Sequence, residues 1–169
     1  MVFIGLTADS ETPVSSSTQF LEKLKGVSLL PNDVMVYFYV TPLLTSIPKD
    51  LAVETIELLF ENNYNETKKS LRHAQIIQLL KICLKTYFTL DGRIYGQVKG
   101  TPVGSPISGL IYESVMQQLK SLVIQNHRLQ LWARYVDDTF TIIEWDQMLA
   151  FKENLNAIFP DMQFTMEEE

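Results

Sequence analysis

The apolar positions of this chain alternate between two periods, and the changes of period mark its elements. A hydroxyl cluster, Ser15-Ser16-Ser17-Thr18, precedes Phe20, Leu21 and Leu24. Ser17 or Thr18 as cap and Gly26 as terminator predict a short helix. Residues 34–40, VMVYFYV, are an unbroken apolar, β-branched and aromatic run. Such a run predicts a strand buried on both faces. Thr45-Ser46-Ile47-Pro48 sets a hydroxyl cap and a first-turn proline. The helix it opens should run to about Asn62, with Leu51, Ile56, Leu59 and Phe60 inward. Over residues 70–86, Leu71, Ala74, Ile77, Leu80 or Lys81, and Leu84 recur at helical spacing. Phe88-Thr89-Leu90 and Arg93-Ile94-Tyr95 flank Asp91-Gly92, the two-residue turn pair that tolerates positive φ.

Farther along, Ser105-Pro106 caps a helix to about Gln125, with Ile107, Leu110, Ile111, Val115, Leu119 and Leu122 as its core side. Leu129 to Tyr135 and Thr139 to Glu144 read as strands around Asp137-Asp138. A helix over 146–158, a turn at Phe159-Pro160-Asp161 and a strand over 162–166 follow. Residues 1–14 show no period and read as a loose arm, so the chain divides into an arm, 1–17, and one domain, 18–169. Helices mixed with hairpins predict an α+β fold, with helices packed on one face of an antiparallel sheet.

Composition narrows the class. Of 169 residues, 46% are apolar and 20% charged, which is ordinary for a folded domain and excludes long disorder. A net charge of −6 argues against a bulk polyanion binder. Its distribution alters that picture. Residues 1–67 hold nine acids and three bases, residues 68–134 ten bases and two acids, and residues 135–169 nine acids and one base. A basic middle therefore lies between acidic ends, a pattern that solvated faces also produce. Lys68, Lys69 and Arg72 open one helix and face either solvent or a nucleic-acid backbone. The single cysteine, Cys83, excludes an internal disulfide and reads as a helix core position. No signal peptide and no apolar run of roughly 20 residues is present, which predicts an intracellular, soluble protein with no membrane partner. His73 and His127 lack zinc-ligand spacing, and Trp132 and Trp145 read as packing residues.

Two segments carry chemistry. In Arg134-Tyr135-Val136-Asp137-Asp138-Thr139-Phe140, two adjacent carboxylates sit at a hairpin tip. Like charges so close repel and raise each other's pKa unless a cation compensates. A divalent ion such as Mg²⁺ is one compensating cation, and a solvated Asp-Asp turn is the plainer alternative. In residues 96–108, GQVKGTPVGSPIS, glycines permit close backbone approach to a ligand. The helix that follows offers free N–H groups to an anion, and Gln97 and Lys99 add a donor and a charge. A loop and cap without ligand would look similar.

Taken together, these segments resemble the reverse transcriptases, most closely those of Penelope-like and related non-LTR retroelements. GQVKGTPVGSPIS resembles their glycine loop beneath the incoming nucleotide and template base, and RYVDDTF their catalytic hairpin. LPNDVMVYFYVTPLLTSIPKDLA is similar to their first catalytic segment, whose usual form is close to SFDVVSLFTNIP. LNAIFPDMQFTMEEE resembles the segment after the hairpin. The resemblance runs from about residue 18 to the end and implies a palm with part of the fingers and no thumb. It also implies RNA-directed DNA polymerisation by two-metal phosphoryl transfer with Mg²⁺ or Mn²⁺. An RNA template, a DNA primer and a deoxynucleoside triphosphate would be the partners. Asp137 and Asp138 would be catalytic metal ligands, and Val40 would offer a backbone carbonyl to a metal. Gln97, Lys99, Gly100, Gly104 and Ser105 would contact nucleotide or template, with Tyr135 near the primer terminus.

The first segment departs from the family. Tyr39 falls where the first metal-binding Asp belongs, Tyr37 at a usual Ser, Pro42 at a second Ser, and Leu44 at the aromatic that screens the ribose. A neutral phenol with a pKa of about 10 is no substitute for a carboxylate that bridges two ions. Asp33 lies too early and Asp50 too late to replace it. All four changes are single-base substitutions within a short stretch. They imply a decaying retroelement copy with impaired catalysis, or a non-enzymatic nucleic-acid-binding remnant.

Overall fold

The computed structural model describes residues 13–40, 43–63, 72–101, 104–105, 107–135 and 137–168. In chain order the elements are α1 (Ser17–Lys25), β1 (Asp33–Val40), α2 (Leu43–Ser46), α3 (Lys49–Asn63), α4 (His73–Cys83), β2 (Tyr87–Leu90) and β3 (Arg93–Gly96). They continue with α5 (Ser108–Ile124), β4 (Leu131–Tyr135), β5 (Asp138–Glu144), a 3-10 turn (Trp145–Gln147), α6 (Met148–Ile158) and β6 (Phe164–Glu168). Two compact units result. The described residues of one lie within Pro42–Gln118, and those of the other within Ser10–Thr41 and Leu119–Glu169.

The second unit is built on a four-stranded antiparallel sheet in the order β4–β5–β1–β6. On one face Val36, Phe38 and Val40 are buried. Phe151 of α6 packs there against Phe38 and Trp132, with ring centroids 5.5 and 6.1 Å apart. His127 meets the same ring edge-on at 5.3 Å. On the other face, Phe20, Leu24 and Val27 pack over Leu131, Ala133, Ile142 and Val14. This is the expected α+β arrangement, with α1 added over the β4 side of the face opposite α6.

Differences from expectation have local causes. Helix α1 is capped by Ser16, whose hydroxyl accepts from the Gln19 N–H, one residue before the expected cap. Leu21 points to solvent, because only Phe20 and Leu24 lie on the sheet side. Strand β1 is not buried on both faces: Met35 is exposed and Tyr37 and Tyr39 are half-buried, since α1 covers only part of that face. The arm is not loose where it is described. Val14 is buried, and its N–H donates to the Arg134 carbonyl at 2.7 Å, which satisfies the edge of β4. Residues 1–12 lie outside the described residues. Trp145 is exposed in the 3-10 turn rather than packed, whereas Trp132 is buried as expected.

In the first unit, the expected helix is α3, which begins at Lys49 directly after Pro48, and a short α2 that was not expected precedes it. Pro48 has no N–H to leave unsatisfied at this start, and its carbonyl accepts from Ala52 N at 3.0 Å. Helix α3 buries Ala52, Thr55, Ile56 and Phe60, with Leu51 and Leu59 only partly covered. Helix α4 buries Ile76, Ile77 and Leu80, not Ala74; Leu71, Lys68 and Lys69 lie outside the described residues. His73 packs on Phe60 at 5.3 Å. Cys83 is exposed at the last residue of α4, not in the core, because Leu84 takes the inward position. The β2–β3 hairpin forms as expected, with Asp91 and Gly92 at φ of 50° and 74°. Helix α5 belongs to the first unit up to Gln118 and to the second from Leu119; Ile111, Val115 and Leu119 are buried, and Leu122 is exposed. Among the described residues no helix is long and apolar enough to cross a membrane.

Candidate active site

The sheet unit places the hairpin carboxylates through strand register. Tyr135 and Asp138 are cross-strand partners at the adjoining ends of β4 and β5. Val136 lies outside the described residues. Asp137 stands exposed at the tip and Asp138 is half-buried at the start of β5. On the neighbouring strand, Tyr39 sits directly opposite Asp138. Side chains alternate along a strand, so Tyr37, Tyr39, Asp138 and Phe140 share one face, the one away from Phe38.

That face is aromatic, and one hydroxyl is turned onto the carboxylate. The Tyr37 hydroxyl donates to Asp138 Oδ1 at 2.6 Å. Its ring lies 5.1 Å from Phe140 and 5.8 Å from Tyr39, and Phe140 lies 5.0 Å from Phe20. The hydrogen bond to Asp138, burial, and the nearby charges of Asp138, Glu167 and Tyr39 push the Tyr37 phenol up to about 12. Asp137 is also raised, first by desolvation and then by the Asp138 charge, while Arg134 opposes both. Arg134 is buried, because it lies on the core face opposite Thr139.

The donor set does not fit a two-metal centre. Such a centre normally takes carboxylates from both the first segment and the hairpin, and position 39 offers a phenol. Among the described residues no three His, Cys, Asp or Glu side chains converge on a point that could hold a metal ion. Val40 is buried and pairs with Phe164 at the end of β1. Tyr135 is 48% exposed, open enough to meet a ligand.

The glycine loop belongs to the other unit and is ordered by its own bonds. The Gln97 N–H donates to Thr86 O at 2.9 Å, and Gln97 Nε2 donates to Lys99 O at 2.9 Å. The Lys49 ammonium donates to Gln97 O. Gly100 is buried with φ of 80°, and its N–H donates to Ile47 O at 2.9 Å. Gly104 also has positive φ, 81°, but stands in open space. The Ser105 hydroxyl accepts from Ile107 N at 3.4 Å, and its carbonyl from Ser108 N at 3.0 Å. Gln97 thus has its amide turned inward on the loop, while Lys99 is exposed. Pro102, Val103 and Pro106 lie outside the described residues, as does the side chain of Leu44.

Two side chains of the site escape sequence reasoning. Tyr37 shows in the sequence only as a tyrosine at a usual serine position, and its bond to Asp138 depends on the pairing of distant strands. Arg134 is visible as the last base before the carboxylates, but its burial beneath them is not.

No family model matches the chain, and no curated protein matches it. Solved structures do. Telomerase of Candida albicans, in complex with a TWJ fragment of telomeric RNA, superposes with a TM-score of 0.70 and 14% identity over 99% of this chain. Apo telomerase of Candida tropicalis, truncated from its C-terminal domain, gives 0.61 and 16% over 94%. The fold is reverse-transcriptase-like. The chain spans about a third of those telomerases, covering 34% and 36% of their lengths.

Proposed function

We propose that this chain is a reverse transcriptase palm segment, an RNA-directed DNA polymerase domain by descent, whose nucleotidyl-transfer centre is impaired at position 39. The register that sets Tyr39 opposite Asp138 carries this reading. The resembling segments carry a carboxylate at this position, and this chain has a phenol there. Mg²⁺ or Mn²⁺, when bound to such a centre, supplies charge neutralisation for phosphoryl transfer; in this chain its binding is expected to be weak. Asp137 and Asp138 remain the residues that would hold it. An RNA template, a DNA primer and a deoxynucleoside triphosphate are the partners by resemblance, which also supports the affiliation to Penelope-like elements through the quoted strings. Primer extension on an RNA template with Mg²⁺ or Mn²⁺ tests the reading. No incorporation is expected, and clear incorporation by the unmodified chain would overturn the impairment.

A second reading, a non-enzymatic nucleic-acid binder, is favoured by the basic middle of the chain. Lys85, Arg93 and Lys99 are exposed there, and the β2–β3 hairpin carries an open stacked pair, Phe88 and Tyr95, on one face and an exposed Tyr87 on the other. Stacking on aromatics and basic side chains along a backbone suit a nucleic-acid strand.

A further inference from the structure

We infer that Tyr37 is a second block at the hairpin carboxylates, independent of Tyr39, because its hydroxyl occupies Asp138 Oδ1. The inference rests on the impaired-centre reading above. The 2.6 Å separation is that of a short, charge-assisted hydrogen bond from a phenol to a carboxylate. The ring is held in place: Phe140 and Tyr39 lie against it at 5.1 and 5.8 Å, and Phe20 supports Phe140 at 5.0 Å. The hydroxyl is therefore aimed by packing.

A cation that takes Asp138 Oδ1 as a ligand must displace this bond or share the oxygen with it. Mg²⁺ demands near-octahedral geometry and sheds water reluctantly, so it competes poorly for an oxygen already bonded beside a fixed ring. A carboxylate restored at position 39 would add a ligand but leave Asp138 engaged. A serine at position 37, the residue usual in the resembling segment, would be too short to reach across the sheet in this way. Two substitutions, not one, separate this face from a metal site.

Mn²⁺ binding, followed by the paramagnetic resonance signal of the free ion, tests this in the whole chain without needing activity. The proteins compared are the unmodified chain, Tyr37→Phe, Tyr39→Asp and the double variant. Tyr37→Phe keeps the ring and its stacking, and melting curves confirm that each variant folds. The double variant should bind at least about tenfold more tightly than Tyr39→Asp alone, at the lower end of ligand-environment effects. Adding Asp138→Asn should abolish that gain. Equal affinity of Tyr39→Asp and the double variant would overturn the role of Tyr37 while leaving the impaired-centre reading intact. No binding by any folded variant would overturn that reading itself, and the inference with it.

Discussion

The Tyr37–Asp138 hydrogen bond makes the stability of the sheet unit depend on alkaline pH. The folded state favours the protonated phenol, whose pKa is pushed up to about 12 from 10.0. The contribution is therefore complete below the unfolded phenol range and is lost as pH rises through about 12. Urea midpoints measured across that window should fall more steeply for the unmodified chain than for Tyr37→Phe. Asp137 has the opposite practical meaning. Its carboxyl is raised by desolvation and by Asp138, so its ionised form costs stability above the folded pKa. Asp137→Asn should raise the melting temperature at neutral pH, and the gain should vanish in acid, where the native carboxyl is also neutral. At this scale the sequence discloses Tyr39, because one strand and one motif suffice to align it. Tyr37 stays hidden because its partner lies 101 residues away, and only the β1–β5 register brings them together.

Elements governed by local chemistry were legible, and those governed by coverage were not. The Asp91-Gly92 turn is a local matter: both residues have positive φ, and a Cβ at Gly92 would meet nothing within 4 Å. Gly92→Ala should therefore cost only backbone strain, about 1 kcal/mol or more, seen as faster amide exchange in β2 and β3. The cap of α1 is similarly local, although three consecutive serines blurred its position by one residue. Ser16→Ala should destabilise by about 1 kcal/mol, measured by chemical denaturation. The faces of β1 required knowing where α1 lands. Its aromatic residues suit both full and partial burial, so the run VMVYFYV carried no sign of its open side. The start of α3 at Pro48 was written in the sequence, because a proline suits a helix start, whereas the short α2 before it carried no such signal.

For the whole molecule, charge distribution outweighs net charge. If the basic middle meets nucleic acid, binding to an RNA–DNA duplex should weaken as salt rises, with a log–log slope of about −0.9 per phosphate neutralised. Anisotropy of a labelled duplex reads this directly. Arg93→Glu together with Lys99→Glu should reduce both the affinity and the slope, and salt-insensitive binding would exclude the basic-surface reading. The division into two units was not legible, because its boundary at Gln118–Leu119 falls inside α5, whose apolar repeat continues across it. The overall class was legible, since three motifs in order imply one fold, and telomerase structures share that fold over nearly the whole chain at 14–16% identity. The exposed Cys83 has a practical consequence. As the chain's sole thiol, it gives air oxidation one covalent outcome, a disulfide between two copies. A purified sample should then show a band at twice the monomer mass on a non-reducing gel, absent with reductant or after Cys83→Ser. The same thiol accepts a single maleimide dye at a known position, the end of α4, with no engineering.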